Sequence, residues 1–327
     1  MKKQKKLILL AVICICILAT GALLMPKLLQ SNLDYWYATM CEITDNFGVR
    51  YVGSENAERT LDYLRGKFKG FGYSYQKGTL YECQTQVNDV TGASLIAVKK
   101  AKNPNPQIVT ICAHYDSVSI GARDNASGLA AMLTLCKRFS TMPAYPDTEL
   151  RFIAFTAEES GRQGSQAYCA TLTQDEIDRS LAVFNIDILA VDFWEPTLAF
   201  SMDTMGLRTA DGYVTASADA PAYNRPAKAM LAAREKLEIL PDDQQEVTWC
   251  LPRHFGASDH QSFHEYGIDS VNACFRGTTA SGRAWPYYMH SPFDTVDDTF
   301  DVSRTSEAME LLFTAADGLA RNHSYGN

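Results

Sequence analysis

The sequence lacks the cysteine pattern of a disulfide-stabilised or zinc-finger protein. Its nine cysteines are an odd number, and they include no CxxC pair and no regular spacing. Neither a disulfide framework nor a thiolate zinc site is therefore supported. A single bridge that involves Cys41 or Cys83 remains open. Several other cysteines lie in apolar strand-like or helix-like patterns, where a free thiol acts as a small hydrophobic group: Cys112, Cys136, Cys169 and Cys274.

Positive charge is scarce outside the N-terminus. The net charge of the chain is −8, but residues 1–30 hold five lysines and no acidic residue, so the remainder has 25 basic against 38 acidic side chains. An acidic body argues against binding to nucleic acid and suits cationic or amine substrates. The chain also lacks internal repeats and low-complexity segments, and its hydrophobic fraction of 46% is ample for a folded core.

The N-terminus carries one long apolar run. Residues 7–25 are uncharged and follow a basic segment, residues 1–6, with four lysines. This length predicts a transmembrane signal anchor, and the lysines predict a cytoplasmic tail with the body outside the cell membrane. A cleaved signal peptide, with a small-residue site at 20–22, is the alternative and gives a secreted protein. A lipoprotein is less well supported, because Ile13 rather than a small residue precedes Cys14.

Strand and helix patterns alternate beyond residue 33, which is typical of an α/β fold. Apolar, β-branched runs predict strands at Thr79–Val87, Ser94–Lys99, Gln107–Cys112, Glu149–Thr156, Leu181–Ile186, Thr197–Met202 and Ile268–Phe275. Helical spacing predicts two helices within 33–72 around a turn at Gly48–Gly53, a helix that opens at Gly164, and helices at Ala126–Phe139, Ala222–Leu237 and Ser303–Ala320. Residues 244–263 have no regular period. No composition break divides residues 33–327, so we expect one catalytic domain with a largely parallel sheet.

Polar side chains follow three of the predicted strands. His114 and Asp116 come after the first of these strands, and Asp124 lies in the turn before a helix. Glu158–Glu159 follow the next strand, and Asp187 follows the third. Open α/β sheets place their sites at this carboxyl edge, and imidazole and carboxylate groups are good zinc ligands. For the first group alone, a polar strand end with a helix cap is the alternative to a metal site.

A second histidine completes a set of two imidazoles and three carboxylates. The set suits two zinc ions that share one carboxylate, and its members are His114, Asp124, Glu159, Asp187 and His290. A paired site with ions ~3.5–4 Å apart can activate water and polarise a carbonyl group. Glu158 has no ligand role and is the natural general base. Asp116 is placed to accept the other imidazole N–H of His114 and to fix its tautomer.

Five segments resemble the signature blocks of the dizinc exopeptidases of metallopeptidase family 28. They are His114-Tyr-Asp-Ser, Gly121-Ala-Arg-Asp-Asn-Ala-Ser-Gly, Glu158-Glu-Ser-Gly with Gly164-Ser, Asn185-Ile-Asp and His290-Ser-Pro-Phe-Asp-Thr. The family includes secreted aminopeptidases, glutamate carboxypeptidase and glutaminyl cyclase. The resemblance covers about residues 45–300, in the order of the family. It implies a three-layer αβα sandwich with a central mixed, mostly parallel sheet.

The resemblance also implies a role for each residue. Asp124 would bridge two Zn²⁺ ions, His114 and Asp187 would bind one ion, and Glu159 and His290 would bind the other. Glu158 would be the base. Residues 258–263 resemble a family segment near the substrate pocket, and the candidates for contact with substrate or oxyanion are His260, Tyr287 and Tyr288.

Two other patterns have alternative interpretations. His260 and His264 have the spacing of a helical zinc pair, but Gln261 stands where a catalytic glutamate would follow the first histidine. Asp294 is expected either to cap a helix or to support His290.

The sequence therefore predicts a membrane-anchored, outward-facing zinc aminopeptidase that acts on peptides. A carboxypeptidase would need a cation for the substrate carboxylate, and the candidates are Arg253, Arg276 and Arg283. A glutaminyl cyclase with one zinc ion and a non-catalytic surface receptor are the further alternatives. The oligomeric state is left open.

Overall fold

The computed structural model describes residues 30–191, 199–203, 225–239, 258–276 and 288–326. The predicted tail at 1–6 and the predicted anchor at 7–25 lie outside these ranges. Within the described ranges, the structure contains no helix with the length and apolar character that a membrane crossing requires.

Helices and strands alternate through the described chain. The helices are α1 (30–47), α2 (Glu55–Gly70), α3 (Gly128–Ser140), α4 (Gln163–Thr171), α5 (Gln174–Arg179), α6 (Arg225–Lys236), α7 (His260–Glu265) and α8 (Val302–Arg321). The strands are β1 (Leu80–Val87), β2 (Val90–Lys99), β3 (Gln107–His114), β4 (Thr148–Phe155), β5 (Ser180–Ile186), β6 (Ala199–Asp203) and β7 (Ser270–Arg276).

The strands form one mixed sheet in the order β1-β2-β4-β3-β5-β7-β6. The four central strands β4, β3, β5 and β7 are mutually parallel, whereas β1, β2 and β6 join through antiparallel pairings. The predicted mixed α/β sheet is confirmed, but its parallel pairings are confined to the centre. Three of the six pairings are antiparallel: β1 with β2, β2 with β4 and β6 with β7. Only the first follows from a short connection, since the two-residue turn between β1 and β2 can join only antiparallel strands.

Helices cover both faces of the sheet, which gives three layers. In β4, Leu150, Phe152 and Ala154 pack on one face, in a core with α1, α2, α3, α6 and α8. Ile153 and Phe155 point the other way and pack with Tyr168 of α4 and Phe263 of α7. Both faces of β4 are thus buried from Phe152 to Phe155, which explains why this end of the strand is apolar throughout.

Two short helices were not expected from the sequence. Helix α5 begins with a capping box, in which Thr173 and Glu176 each accept a main-chain N–H from the other end of the turn. Helix α7 lies partly in the segment 244–263, which shows no helical period. Six residues are too few to display a period, so α7 depends on the burial of Phe263 between the sheet and α4.

Candidate metal centre

The predicted site residues lie at the carboxyl edge of the parallel strands. His114 is the last residue of β3, Asp187 directly follows β5, and Glu159 lies just beyond β4. Because β4, β3 and β5 are neighbours in the sheet, their carboxyl ends meet. Asp124 lies in the π-helical turn between β3 and α3, and His290 lies in a turn beyond β7.

The ligating atoms form two groups that share Asp124. In the first group, His114 Nε2 lies 3.3 Å from Asp124 Oδ1 and 3.4 Å from Asp187 Oδ1. In the second group, His290 Nε2 lies 3.0 Å from Asp124 Oδ2 and 3.1 Å from Glu159 Oε2. The atoms of each group all lie within 4.8 Å of one another. The two oxygens of one carboxylate therefore face different histidines.

The spacing of these atoms and their lack of partners fit metal cations. Two ligands each about 2.0–2.1 Å from a tetrahedral zinc ion lie about 3.3–3.4 Å apart, close to the distances found here. Among the described residues, His114 Nε2, Asp187 Oδ1 and Glu159 Oε1 are buried without a hydrogen-bond partner. Unpaired buried polar atoms are costly, so each calls for a partner, such as a cation, beyond those that the described residues provide.

The protonation properties reflect this concentration of charge. Burial disfavours the imidazolium form of His114, but the carboxylates of Asp116, Asp124 and Asp187 outweigh burial and raise its pKa well above the ordinary value. Hydrogen bonds with Asp124 and Glu159 raise the pKa of His290 to about 10. Metal binding requires neutral imidazole, so cations must displace protons from both rings.

Asp116 connects two segments of the site, in a different way from the one predicted. His114 Nδ1 lies 3.1 Å from the main-chain oxygen of Asp116 and 3.6 Å from its carboxylate. The main-chain carbonyl is therefore the nearer acceptor for the ring N–H. The Asp116 carboxylate instead accepts the main-chain N–H groups of Glu158 and Glu159, at 3.1 and 3.2 Å. Either acceptor leaves Nε2 as the ring atom that faces Asp124 and Asp187.

Glu158 lies beside the two groups without joining either. Burial raises the pKa of Glu158 well above its usual range, and the negative charges of Asp259 and Asp187 add to this effect.

Backbone conformations next to the site are unusual. The φ angles of Ala157, Ile188 and His290 are +55°, +67° and +59°. Positive φ is costly for side chains with a Cβ, and most of all for a β-branched residue such as Ile188. Such conformations persist where the surrounding structure requires them, which is frequent at functional sites.

Comparison with known proteins identifies the family. The model of peptidase family M28 matches residues 94–315, which is more than half of the chain. The chain belongs to peptidase family M28. The resemblance inferred from the sequence motifs is thereby confirmed.

Individual relatives of this M28 family member include an aminopeptidase. Aminopeptidase YwaD of Bacillus subtilis (strain 168) is 33% identical over 252 residues, which cover 76% of this chain and 49% of that protein. Leupeptin-inactivating enzyme 1 of Streptomyces exfoliatus is 31% identical over 147 residues, or 44% of this chain and 32% of that protein. The chain thus matches about half or less of the length of these relatives.

Solved structures share the fold. The structure of BSAP, a zinc aminopeptidase from Bacillus subtilis, aligns with a TM-score of 0.56 and 32% identity over 70% of this chain and 50% of that chain. The glutaminyl cyclase of Porphyromonas gingivalis aligns with a TM-score of 0.67 over 87% of this chain and 97% of that chain. Its identity is only 16%, so this second similarity concerns the fold alone.

The predicted substrate residues of this M28 peptidase have varied surroundings. His260 begins α7 and is fully buried, and its main-chain oxygen accepts a hydrogen bond from Ser270. Tyr288 is half-buried, and its ring packs near Phe293 and the guanidinium of Arg123. Neither side chain belongs to the two ligand groups. Tyr287, and the alternative cations Arg253 and Arg283, lie outside the described residues; of Arg276, the structure describes only the main chain.

The structure also bears on patterns that the sequence left open. Asp294 places its carboxylate at the first turn of the π-helical segment, where it accepts the main-chain N–H groups of Arg123 and Asp124. His260 and His264 form no metal-binding group in the described part of the chain. No disulfide bond forms among the described cysteines, which are all free: Cys41, Cys83, Cys112, Cys136, Cys169 and Cys274.

Sequence reasoning missed two supporting residues near the site. Arg50 is fully buried and donates hydrogen bonds to main-chain oxygens of Tyr115, Ile120 and Gly121, in the loop after His114. The Asn125 side chain donates to the main-chain oxygen of Ile186 and accepts the main-chain N–H of Ile188, the residues on either side of Asp187. The only sequence signal for Arg50 is a lone arginine in a predicted turn, and Asn125 carries no ligand chemistry of its own.

Proposed function

We propose that this chain is a dizinc aminopeptidase that hydrolyses the N-terminal residue from peptides. The observation that carries the proposal is the pair of ligand groups that share Asp124, each with one imidazole and one further carboxylate. Membership of peptidase family M28 and the similarity to a zinc aminopeptidase of Bacillus subtilis support the same chemistry.

The residues divide into two zinc sites. One site would comprise His114, Asp124 and Asp187, and the other Asp124, Glu159 and His290. When bound, zinc supplies Lewis acidity, which polarises a carbonyl group and lowers the pKa of water. The side chain of His290 is 47% exposed, so the second site is open to solvent and to substrate.

Glu158 would act as the general base. It would accept a proton from the attacking water and later donate one to the leaving amine. The main-chain N–H groups of Glu158 and Glu159 both donate hydrogen bonds to the Asp116 carboxylate. The proposed base and the proposed ligand are therefore held in one turn.

The charge of the protein would favour a free amine. Beyond residue 30 the chain has 38 acidic against 25 basic side chains, and this balance attracts a substrate α-ammonium group more than a peptide C-terminus. His260, Tyr287 and Tyr288 remain the proposed contacts for substrate or oxyanion.

We also propose that residues 7–25 anchor the chain in the cell membrane, with 1–6 inside and a catalytic domain at 33–327 outside. The sequence pattern of a lysine-rich segment before an uncharged run supports this arrangement. Membrane fractionation with alkaline extraction, combined with N-terminal sequencing of the mature protein, tests it. Release into the medium with a new N-terminus near residue 22 would show secretion instead.

The function is tested by metal content and peptide specificity together. We expect the full chain to hold about two zinc ions by mass spectrometry of metals. It should cleave peptides with a free N-terminus whether or not the C-terminus is amidated, and it should leave N-acetylated peptides intact. Cleavage from the C-terminus of acetylated peptides would show a carboxypeptidase. Cyclisation of N-terminal glutamine with one zinc ion would show a glutaminyl cyclase, and an absence of zinc would favour a receptor.

A further inference from the structure

Asp294 joins the segment of His290 to the segment of Asp124. Its Oδ1 accepts the main-chain N–H of Arg123 at 2.8 Å, and its Oδ2 accepts the N–H of Asp124 at 3.1 Å. Its main-chain oxygen also accepts the N–H of Ala122 at 3.1 Å. The side chain is fully buried, and Arg123 Nη1 lies 3.3 Å from Oδ1 as a counter-charge.

The turn between Asp294 and His290 is internally bonded. The N–H of Asp294 donates to the main-chain oxygen of Ser291, and the N–H of Ser291 donates to the main-chain oxygen of Tyr288. A residue fixed at position 294 therefore fixes the main chain of His290. That histidine reaches Asp124 and Glu159, so this link concerns the second ligand group.

Asn125 makes the corresponding link on the other side of Asp124. Its Oδ1 accepts the N–H groups of Gly128 and Ile188 at 3.0 and 3.1 Å, and its Nδ2 donates to the main-chain oxygen of Ile186 at 2.8 Å. Ile186 and Ile188 flank Asp187. The amide therefore holds the main chain on both sides of a member of the first ligand group, and Asn125 is fully buried.

We propose that Asp294 and Asn125 are positioning residues that each set the geometry of one metal site. Asp294 sets the site of Asp124, Glu159 and His290, whereas Asn125 sets the site of His114, Asp124 and Asp187. This inference rests on the proposed dizinc function. It follows from the hydrogen bonds given above: the Asp294 carboxylate joins the N–H groups of Arg123 and Asp124 to the turn of His290, whereas the Asn125 amide bonds to main chain on both sides of Asp187.

The chemistry of the two side chains allows nearly isosteric tests. Asp294 needs two acceptor oxygens, so Asp294→Asn turns an NH₂ group toward a main-chain N–H and loses one hydrogen bond. Asn125 needs one acceptor and one donor, so Asn125→Asp turns an oxygen toward the carbonyl oxygen of Ile186. Asn125→Ala removes the same contacts without adding charge. Substitution of residues that orient metal ligands typically costs about 10–100-fold in metal affinity.

The test titrates zinc alone into the metal-free full chain, with free zinc set by buffers and bound zinc measured by metal analysis. Wild type should bind two ions. We expect Asp294→Asn and Asn125→Ala each to weaken one binding step by about 10–100-fold and the other by less than about threefold. Asp297→Asn is the matched control. Asp297 also faces the Arg123 guanidinium, at 3.6 Å, and its known contacts do not include the N–H of Arg123 or Asp124.

Double variants assign each effect to a site. His290→Ala removes an imidazole of the second site, so adding Asp294→Asn should leave the remaining zinc affinity unchanged, whereas adding Asn125→Ala should weaken it. In the Asp187→Asn background, adding Asn125→Ala should leave the remaining zinc affinity unchanged, whereas adding Asp294→Asn should weaken it. Circular dichroism and the thermal midpoint of the metal-free proteins confirm that each variant is folded.

Three results would overturn the inference: equal weakening of both sites, no weakening, or an effect of Asp294→Asn in the His290→Ala background. The proposed function fails separately. Wild type that binds two zinc ions without releasing N-terminal residues would contradict the function and leave the positioning roles intact. If wild type cleaves peptides but Asp294→Asn and Asn125→Ala weaken the same zinc-binding step, only the positioning roles are contradicted.

Discussion

The Asp116 carboxylate accepts the main-chain N–H of Glu158 at 3.1 Å, which ties the end of β4 to the end of β3. Its other oxygen accepts the next N–H, that of Glu159, at 3.2 Å. The same residue receives the ring N–H of His114 at its carbonyl oxygen. Asp116 therefore holds the ring of His114 and the main chain of Glu158 and Glu159 in place. Its own carboxylate does not belong to either ligand group.

Glu158→Gln should abolish most of the activity without removing metal. Glutamine cannot accept the proton of the attacking water, so we expect kcat to fall roughly 10²–10⁴-fold, the usual contribution of a general base. Steady-state kinetics and metal analysis of the same sample measure both effects. Glu159→Gln is the adjacent control and should lose zinc as well as activity. Near-normal turnover in Glu158→Gln would exclude it as the base.

Asp124→Ala should remove both zinc ions, because its two oxygens face the two histidines separately. Asp187→Ala is the comparison, and it should weaken only the group that contains His114. Equilibrium dialysis against buffered zinc gives the number of ions that each variant retains. A fully loaded Asp124→Ala protein would mean that this carboxylate does not bridge.

Arg50→Lys should destabilise the fold although it keeps the charge. The guanidinium is fully buried and donates to four main-chain oxygens, and a lysine ammonium cannot reach that many from one point. Burial lowers the pKa of Arg50 to about 10, so the group remains charged at neutral pH. We expect a loss of about 2 kcal/mol or more in the free energy of unfolding, because buried carbonyl groups lose their donors. Urea unfolding measures it, and the exposed Arg59→Lys is the control.

Gly128→Ala should be destabilising in spite of the helical position of the residue. A Cβ at this position would lie 2.2 Å from Asn125 Oδ1 and 2.5 Å from the main-chain oxygen of Ile186. We expect a cost of about 1–3 kcal/mol from overpacking. Gly66→Ala in α2 is the matched control, since its Cβ would meet nothing within 4 Å and it should stabilise by about 0.5–1 kcal/mol. Equal thermal midpoints for the two variants would contradict the expected contact.

Asp259 should make the metal-free protein less stable as the pH rises. Burial raises its pKa to about 7, whereas the unfolded value is about 3.9. Between these values the folded chain holds a proton that the unfolded chain has released, so the free energy of unfolding falls with increasing pH and the loss is complete above about 7. Asp259→Asn should flatten this part of the profile, whereas the exposed Asp89→Asn should not. Thermal unfolding at several pH values, with a chelator present, tests this, and a profile unchanged by Asp259→Asn would contradict it.

Much of the fold was predictable because its signals are local. The seven strand patterns lie at or within a few residues of the observed strands, since most of the strands hold a short apolar run between turn residues. Helix α2 begins after Ser54, whose side chain accepts an N–H at the first turn as an N-cap does. Helices α5 and α7 were missed, because one depends on a capping box and the other on burial rather than on period.

The sequence by itself determined the residue types of the candidate centre and their position after strands, because hydrophobic period and motif spacing are properties of neighbouring residues. Only the tertiary structure decided which oxygen of Asp124 faces which histidine, that Asp294 accepts the N–H of Asp124, and that Asn125 donates to the carbonyl oxygen of Ile186 beside Asp187. Those hydrogen bonds join residues 170 and 61 positions apart. Such pairs are set by how the sheet, the turns and the helices pack, and no local pattern in a single sequence records them.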